Sequence, residues 1–356
     1  MKKIGVVTIH SDYNYGAFLQ AYALIYILRK EGYQAEIIDY RKIPNHPRKD
    51  PFPVNILFKL INSKRIKRYK NFIKPTLGTK TYPTLDSIMN KFDGEYDILI
   101  SGSDQIWNPK CGGFINQLNP AYYLAFASNK KYKKISYASS IGSYLFNENE
   151  QQQIKNWLSE YSSISTRELA GKEHLQSFID KDIKVTLDPT LLLTKEEWLK
   201  QAKPYKTNDK YVLVYYMVEL DEVLEYAREI ANKNNWKVGL ITNQISKHPL
   251  VDLNFRNCGP GEFITLVNNA SFVVTNSFHG TAFSVNFQKN FISVYKKDSP
   301  QRAQTLLTNV GLSQYLLKNP KQISCLDLNI DYKEATAILK KLRQDSLNFL
   351  INAIEN

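Results

Sequence analysis

Short apolar runs alternate with amphipathic stretches along most of the chain, the pattern of a parallel sheet whose strands are joined by helices. Ile4 to Thr8 is β-branched and has the length of a buried strand. A polar loop, His10 to Gly16, follows, and then a helix over Ala17–Lys30 whose Phe18, Ala21, Tyr22, Leu24, Ile25 and Leu28 share one broad apolar face. Gly32 ends this helix and Ala35 to Tyr40 is the second strand, so the chain begins with a βαβ unit. Further strands are predicted at Tyr96–Ile100, Ile135–Ala138, Ser163–Ser165 and Lys184–Leu187, with a helix over 147–160. Beyond the charged segment Lys195 to Asp209, which carries Pro204, the alternation restarts. Its strands are Tyr211–Val218, Lys237–Ile241, Ser271–Thr275 and Phe291–Tyr295; its helices are Leu220–Ala231, Glu262–Asn268 and Ala282–Phe287. A helix from Tyr332 to Ile354 closes the chain.

The expected fold is therefore α/β, with a Rossmann-like domain over 1–190, a second over 205–325, and a C-terminal helix over 332–356. Residues 41–83 depart from the alternation. A Pro-rich, basic connection, Ile43 to Pro53, leads into a helix expected from about Val54 to Phe72, whose second half reads Lys64-Arg65-Ile66-Lys67-Arg68-Tyr69-Lys70. Such a helix can lie on an anionic membrane surface, cover a sugar-phosphate acceptor, or stand exposed as an insertion.

Composition narrows the class. With 43% hydrophobic and 12% aromatic residues in a chain of 356, an ordinary globular protein is expected. Cys111, Cys258 and Cys325 are far apart and make neither a CxxC nor a Cys/His pattern, which argues against a disulfide framework or a structural zinc site and fits a reducing cytoplasm. No run approaches the ~18 apolar residues of a membrane span. Lys and Arg total 47 against 34 Asp and Glu, so the formal charge of +13 favours polyanions, anionic membrane or phosphorylated ligands. The basic segments lack the regular aromatic interleaving of single-strand binders, which counts against nucleic acid.

Candidate chemistry gathers where strands end, the place at which open α/β sheets bind ligands. The loop after the first strand holds Asn14 and Tyr15 but no GxGxxG, so no dinucleotide fingerprint is read there. Ser101-Gly102-Ser103-Asp104-Gln105-Ile106-Trp107 follows another strand: glycine admits close approach, Ser103 and Asp104 offer hydrogen bonds, and Trp107 offers a flat face for a sugar. Asp104 has the alternative of capping a helix. Ser139-Ser140-Ile141-Gly142 is a second small-residue turn on the same edge. Arg167, at the end of Ser163–Ser165, suits bidentate capture of phosphate or carboxylate, or an ion pair with Glu168 or another acid. In the second half, Val273 to Phe283 reads as a buried strand turning sharply into a helix, with His279 at the helix start. Backbone N–H groups there favour an anion, and imidazole exchanges protons near neutral pH. His279 could equally cap the helix or bond inside the core. Lys296, after the last strand of this half, is either an anion ligand or a solvated lysine.

Taken together, Asn14-Tyr15-Gly16, Ser101 to Trp107, Ser165-Thr166-Arg167-Glu168 with Leu187-Asp188-Pro189, and Thr275-Asn276-Ser277-Phe278-His279-Gly280 resemble the polysaccharide pyruvyl transferase family over about residues 4–300. The resemblance implies two Rossmann-like domains facing each other across a cleft, as in GT-B glycosyltransferases. It implies transfer of a carboxyethylidene group from phosphoenolpyruvate to two hydroxyls of one sugar in a surface or capsular glycan. A lipid-linked sugar is an alternative acceptor; the scheme requires no metal, no cofactor is expected, and the expected location is cytoplasmic, with peripheral contact at the inner face of the membrane as an option. His279 then matches the general acid/base and Arg167 an arginine that holds the donor; from their own chemistry Ser277, Gly280 and Lys296 are expected on the donor side, and Asn14, Tyr15, Ser103, Asp104 and Trp107 on the acceptor side. Many members carry Ser-Arg-Leu-His where this chain has Asn276-Ser277-Phe278-His279, so Ser277 stands where an arginine is expected. The competing readings are a glycosyltransferase that uses a nucleotide sugar and a non-catalytic glycan binder.

Overall fold

Strands that read as uninterrupted apolar runs have no polar face to give to water, so they assemble into parallel sheets covered by helices on both sides. Two such sheets form in the computed structural model, which describes residues 1–11, 14–41, 62–111, 117–128, 132–217, 220–242, 248–295, 301–318, 323 and 327–356. They belong to two compact units. One comprises Met1–Phe52, Ile73–Leu192 and Leu342–Asn356; the other comprises Pro53–Phe72 and Leu193–Lys341.

The first sheet contains β1 (Lys3–Val7), β2 (Gln34–Tyr40), β3 (Leu77–Tyr82), β4 (Ile98–Ser101), β5 (Lys133–Ser136), β6 (Tyr161–Thr166) and β7 (Ile183–Val185) in the order β3-β2-β1-β4-β5-β6-β7. Its ladders are parallel; β1 pairs Ile4 with Ile98 and Val6 with Ile100, and Ile4, Val6 and Val7 have no exposed surface. Among the described residues the α-helices up to this point are α1 (Tyr15–Lys30), α2 (Ser63–Ile73), α3 (Leu85–Lys91), α4 (Glu148–Ser159) and α5 (Leu169–Gln176). Asn147 and Glu150 close a reciprocal capping box at the start of α4, which fixes that helix where the pattern placed it.

The second sheet contains β8 (Tyr211–Tyr215), β9 (Lys237–Ile241), β10 (Leu253–Phe255), β11 (Phe272–Thr275), β12 (Phe291–Val294) and β13 (Leu316–Leu317) in the order β10-β9-β8-β11-β12-β13, again parallel throughout. Val214 pairs with Val274 at its centre, and both are fully buried. Helices α6 (Lys195–Leu199), α7 (Leu220–Asn234), α8 (Pro260–Asn269), α9 (Phe278–Asn286) and α10 (Gln301–Asn309) belong to this half, and α11 (Lys333–Glu355) ends the chain. Each sheet is thus wound outward from its middle, and strand order reverses between β1 and β4 in one and between β8 and β11 in the other. Those two reversals are the positions at which doubly wound sheets open a ligand crevice.

The expected insertion over 41–83 is corrected in its described part. Leu77–Tyr82 is an edge strand beside β2, missed because Thr79, Lys80 and Thr81 are exposed and leave no apolar run to read. Helix α2 packs with the second unit rather than the first: Arg68 lies 3.1 Å from Glu262 and donates to the Asn257 carbonyl at 2.7 Å. Among the described residues no helix is long and apolar enough to cross a membrane.

Candidate active site

In the first unit the crevice position is formed by the ends of β1 and β4. Gly102 follows β4 closely against β1; a Cβ there would lie 2.9 Å from the Thr8 Cβ, so only glycine lets the two strand ends meet. Thr8 Oγ1 then donates to the Ser103 carbonyl at 2.8 Å. Asp104 comes next with φ at +72°, a left-handed conformation that costs a residue with a Cβ about 1–2 kcal/mol. Its carbonyl accepts from Ile106 N at 2.8 Å and Ser140 N at 3.0 Å, which over-determine the strained turn. No helix follows Asp104 directly, so it caps none.

The carboxylate of Asp104 joins a buried ionic cluster. Arg167 Nη1 donates to Asp188 Oδ2 at 2.6 Å, and the same guanidinium lies 3.6 Å from Asp104 and 3.9 Å from Glu168. Burial opposes the charge on Arg167, but the carboxylates of Asp188, Asp104 and Glu168 outweigh it and hold its pKa above the ordinary guanidinium value. Asp188 also accepts from Ser103 Oγ at 3.1 Å and, on its other oxygen, from Thr190 N and Oγ1 at 2.9 and 2.7 Å. Glu168 Oε1 accepts from Ser140 Oγ, Ile141 N and Gly142 N at 2.8–3.1 Å, so the second small-residue turn is a cradle for this carboxylate. The cluster brings Asp104, Ser103 and Arg167 into one site, although Arg167 is expected on the donor side and the other two on the acceptor side.

Four residues expected to meet the acceptor are buried or engaged elsewhere. Trp107 is 1% exposed, stacks on Tyr123 with ring centroids 5.3 Å apart, and donates its Nε1–H to the Tyr122 carbonyl, so its face is spent on the core. Tyr15 is 4% exposed in the first turn of α1. Asn14 is the N-cap of that helix, accepting from Gly16 N at 2.8 Å. Ser103 is fully buried and acts through Asp188.

In the second unit β11 ends at Thr275 and α9 begins three residues later, with Ser277 at the N-cap position. Asn276 Oδ1 accepts from Met217 N at 2.7 Å, tying this turn to the chain leaving β8. His279 lies in the first turn of α9, 6% exposed, its ring at 77° to that of Phe278 with centroids 5.1 Å apart. Arg302, at the start of α10, places its guanidinium carbon 5.8 Å from the centre of the Phe278 ring. The unit therefore supplies a cation beside Phe278, the residue before the histidine, from a different helix, whereas the position two residues before the histidine is Ser277, 3% exposed. Lys296 lies outside the described residues.

Gly280 works through packing. A Cβ on it would sit 2.2 Å from Thr275 Oγ1, an atom held by its bonds to the Tyr215 carbonyl and from Ser277 N. Gly280→Ala is expected to push α9 off β11, destabilising the protein by about 1–3 kcal/mol. Removing the obstructing hydroxyl in a Gly280→Ala, Thr275→Ala double variant should restore part of the loss. Urea unfolding of the single and double variants checks this; strictly additive losses would contradict the clash.

Sequence reading singled out neither Asp188 nor Glu168 as site residues, although each adjoins a strand end. It also passed over His10, which is 2% exposed at the end of β1. Its Nδ1 lies 2.9 Å from the Thr8 carbonyl and its Nε2 3.0 Å from Asp39. Asp39 is buried, which opposes its charge, yet bonds from His10, Arg41 and Thr81 hold its carboxyl well below the usual range. No local signal marks Arg302, because only tertiary packing carries α10 to Phe278.

Comparison with solved structures bears on the fold. A UDP-N-acetylglucosamine 2-epimerase from Rickettsia bellii aligns with a TM-score of 0.56 at 10% identity, over 99% of this chain and 96% of its own. A UDP-GlcNAc 2-epimerase from Neisseria meningitidis, bound to UDP-GlcNAc, aligns with a TM-score of 0.55 at 10% identity, over 99% of both chains. One from Methanocaldococcus jannaschii gives 0.54 at 12% identity, over 96% of this chain and 99% of its own. At such identities the likeness is one of architecture: two Rossmann-like units of the GT-B kind. Comparison with curated proteins finds no match. The family model for polysaccharide pyruvyl transferase matches residues 14–298, a span that contains both strand-end sites. By that match the chain belongs to the polysaccharide pyruvyl transferase family.

Proposed function

We propose that the protein moves a pyruvyl group from phosphoenolpyruvate to two hydroxyls of one sugar in a cell-surface or exopolysaccharide glycan, or its lipid-linked precursor, forming a cyclic ketal. The observation that carries this reading is His279, buried in the first turn of α9 at the strand-order reversal of the second sheet. A helix start attracts the donor's carboxylate and phosphate, and Arg302 adds a full charge nearby. Ser277 would contribute its hydroxyl and Gly280 its backbone N–H at that helix start, the Ser277 N–H being held by Thr275. In the reaction, imidazolium delivers a proton to the methylene carbon of the enol as one sugar hydroxyl oxygen bonds to the adjacent carbon. The C–O bond to phosphate then breaks, and the second hydroxyl closes on the same carbon. One hydroxyl proton ends in the new methyl group by way of the imidazole, and the other leaves with phosphate.

Asp104 is assigned to the acceptor, as the most exposed carboxylate of the first unit's cluster and one held in a strained backbone. Arg167 we assign to keeping that carboxylate ionised and aimed, since three acids already surround its charge. A melt with ligands added in turn tests the donor. Phosphoenolpyruvate is expected to raise the melting temperature in a saturable way, while UDP- and GDP-sugars leave it unchanged. A shift with a nucleotide sugar alone would replace this reading with a glycosyltransferase.

A further inference from the structure

The sequence between Asp50 and Asp86 holds eight basic residues and no acid. Helix α2 lies within it and sorts these charges by face. Arg65, Tyr69 and Ile73 are buried, and Arg68, though exposed, is neutralised by Glu262. Lys64, Lys67 and Lys70 are exposed and form no ion pair among the described residues. At 3.6 residues per turn these three lysines fall within about 120° of the helix circumference, opposite the buried face. Among the described residues no acid offsets these three like charges, which repel each other.

We propose that this face of α2 docks the protein on an anionic phospholipid surface. The three lysines are spread over about 9 Å of helix length and about 120° of its circumference, which fits an extended sheet of headgroups better than a single phosphate. The aromatic side chains of the helix do not lie on this face: Tyr69 is fully buried and Phe72 is half-buried toward the other side. Contact is therefore electrostatic, without insertion, and is not the stacking that a single-stranded nucleic acid would use. The overall charge of +13 acts in the same direction. Docking of this kind places a glycan-modifying enzyme where lipid-linked acceptors are presented, but it does not depend on which group is transferred.

Flotation with vesicles tests it, using the full chain and either phosphatidylcholine alone or phosphatidylcholine mixed with phosphatidylglycerol. The wild type is expected to float with the mixed vesicles at low salt, to be released at high salt, and to ignore pure phosphatidylcholine. At about fivefold per lysine, the triple variant Lys64→Gln, Lys67→Gln, Lys70→Gln should lose ~100-fold in partitioning. The corresponding triple Lys→Arg variant should keep it, with melts confirming that both are folded. The proposal is overturned if the wild type fails to bind mixed vesicles, if the glutamine variant binds them as well as the wild type, or if pure phosphatidylcholine binds equally. Capture of soluble heparin through these lysines without any vesicle binding would also overturn it, in favour of a polyanion partner.

Discussion

Replacing His279 with alanine or glutamine is expected to lower turnover by at least ~100-fold with the fold intact. The size of the effect follows from the reaction assigned. The enol phosphate is a weak base at carbon, so the proton must be delivered by a positioned acid, and water in a buried turn is a poor substitute. His279 is the described histidine at a strand-order reversal of the second unit, and its first-turn position adds the helix N-terminus to its surroundings. Glutamine matters because it keeps volume and polarity in a site only 6% exposed; a loss shared by both variants, at unchanged melting temperature, isolates the proton transfer from packing. Turnover within a few-fold of wild type in the glutamine variant would remove His279 from the chemistry.

The second large effect is one of stability. Asp188→Ala should cost about 3–5 kcal/mol in unfolding of the first unit, because it breaks the shortest contact of a guanidinium whose side chain is 2% exposed. The same change strips the acceptor from Ser103 Oγ and from both Thr190 donors. Asp188→Asn keeps an acceptor for Thr190 and should cost less. Urea unfolding of both variants measures this. A loss under ~1 kcal/mol for the alanine variant would mean that Asp104 and Glu168 anchor Arg167 without Asp188.

What could be read from sequence, and what could not, divides along physical lines. Strands such as Ile4–Thr8 and Ser271–Thr275 are apolar on both faces and announce themselves, and from them follow two Rossmann-like units and the strand-end position of Asp104, Arg167 and His279. Edge strands such as β3 carry exposed threonines and lysine and were hidden. Trp107 shows the limit of reasoning from residue type, since a tryptophan after a strand can face a ligand or the core, and only the packing of Tyr123 decides. Partners across the sheet were equally out of reach: Asp188 lies 21 residues from Arg167, and Asp39 lies 29 from His10. Docking of α2 on Glu262 joins segments nearly two hundred positions apart, so its charge could be seen but not its neutralised and unneutralised faces.

The central claim is that the buried histidine of a pyruvyl transferase family member acts on phosphoenolpyruvate. Release of inorganic phosphate from phosphoenolpyruvate, followed with and without glycan acceptors, tests it most directly. The account predicts acceptor-dependent release, one phosphate for each ketal methyl group seen by proton NMR of the glycan, and loss of both signals together in His279→Gln. Ketal formation that persists undiminished in that variant, or phosphate release unaccompanied by any new methyl signal, would contradict it.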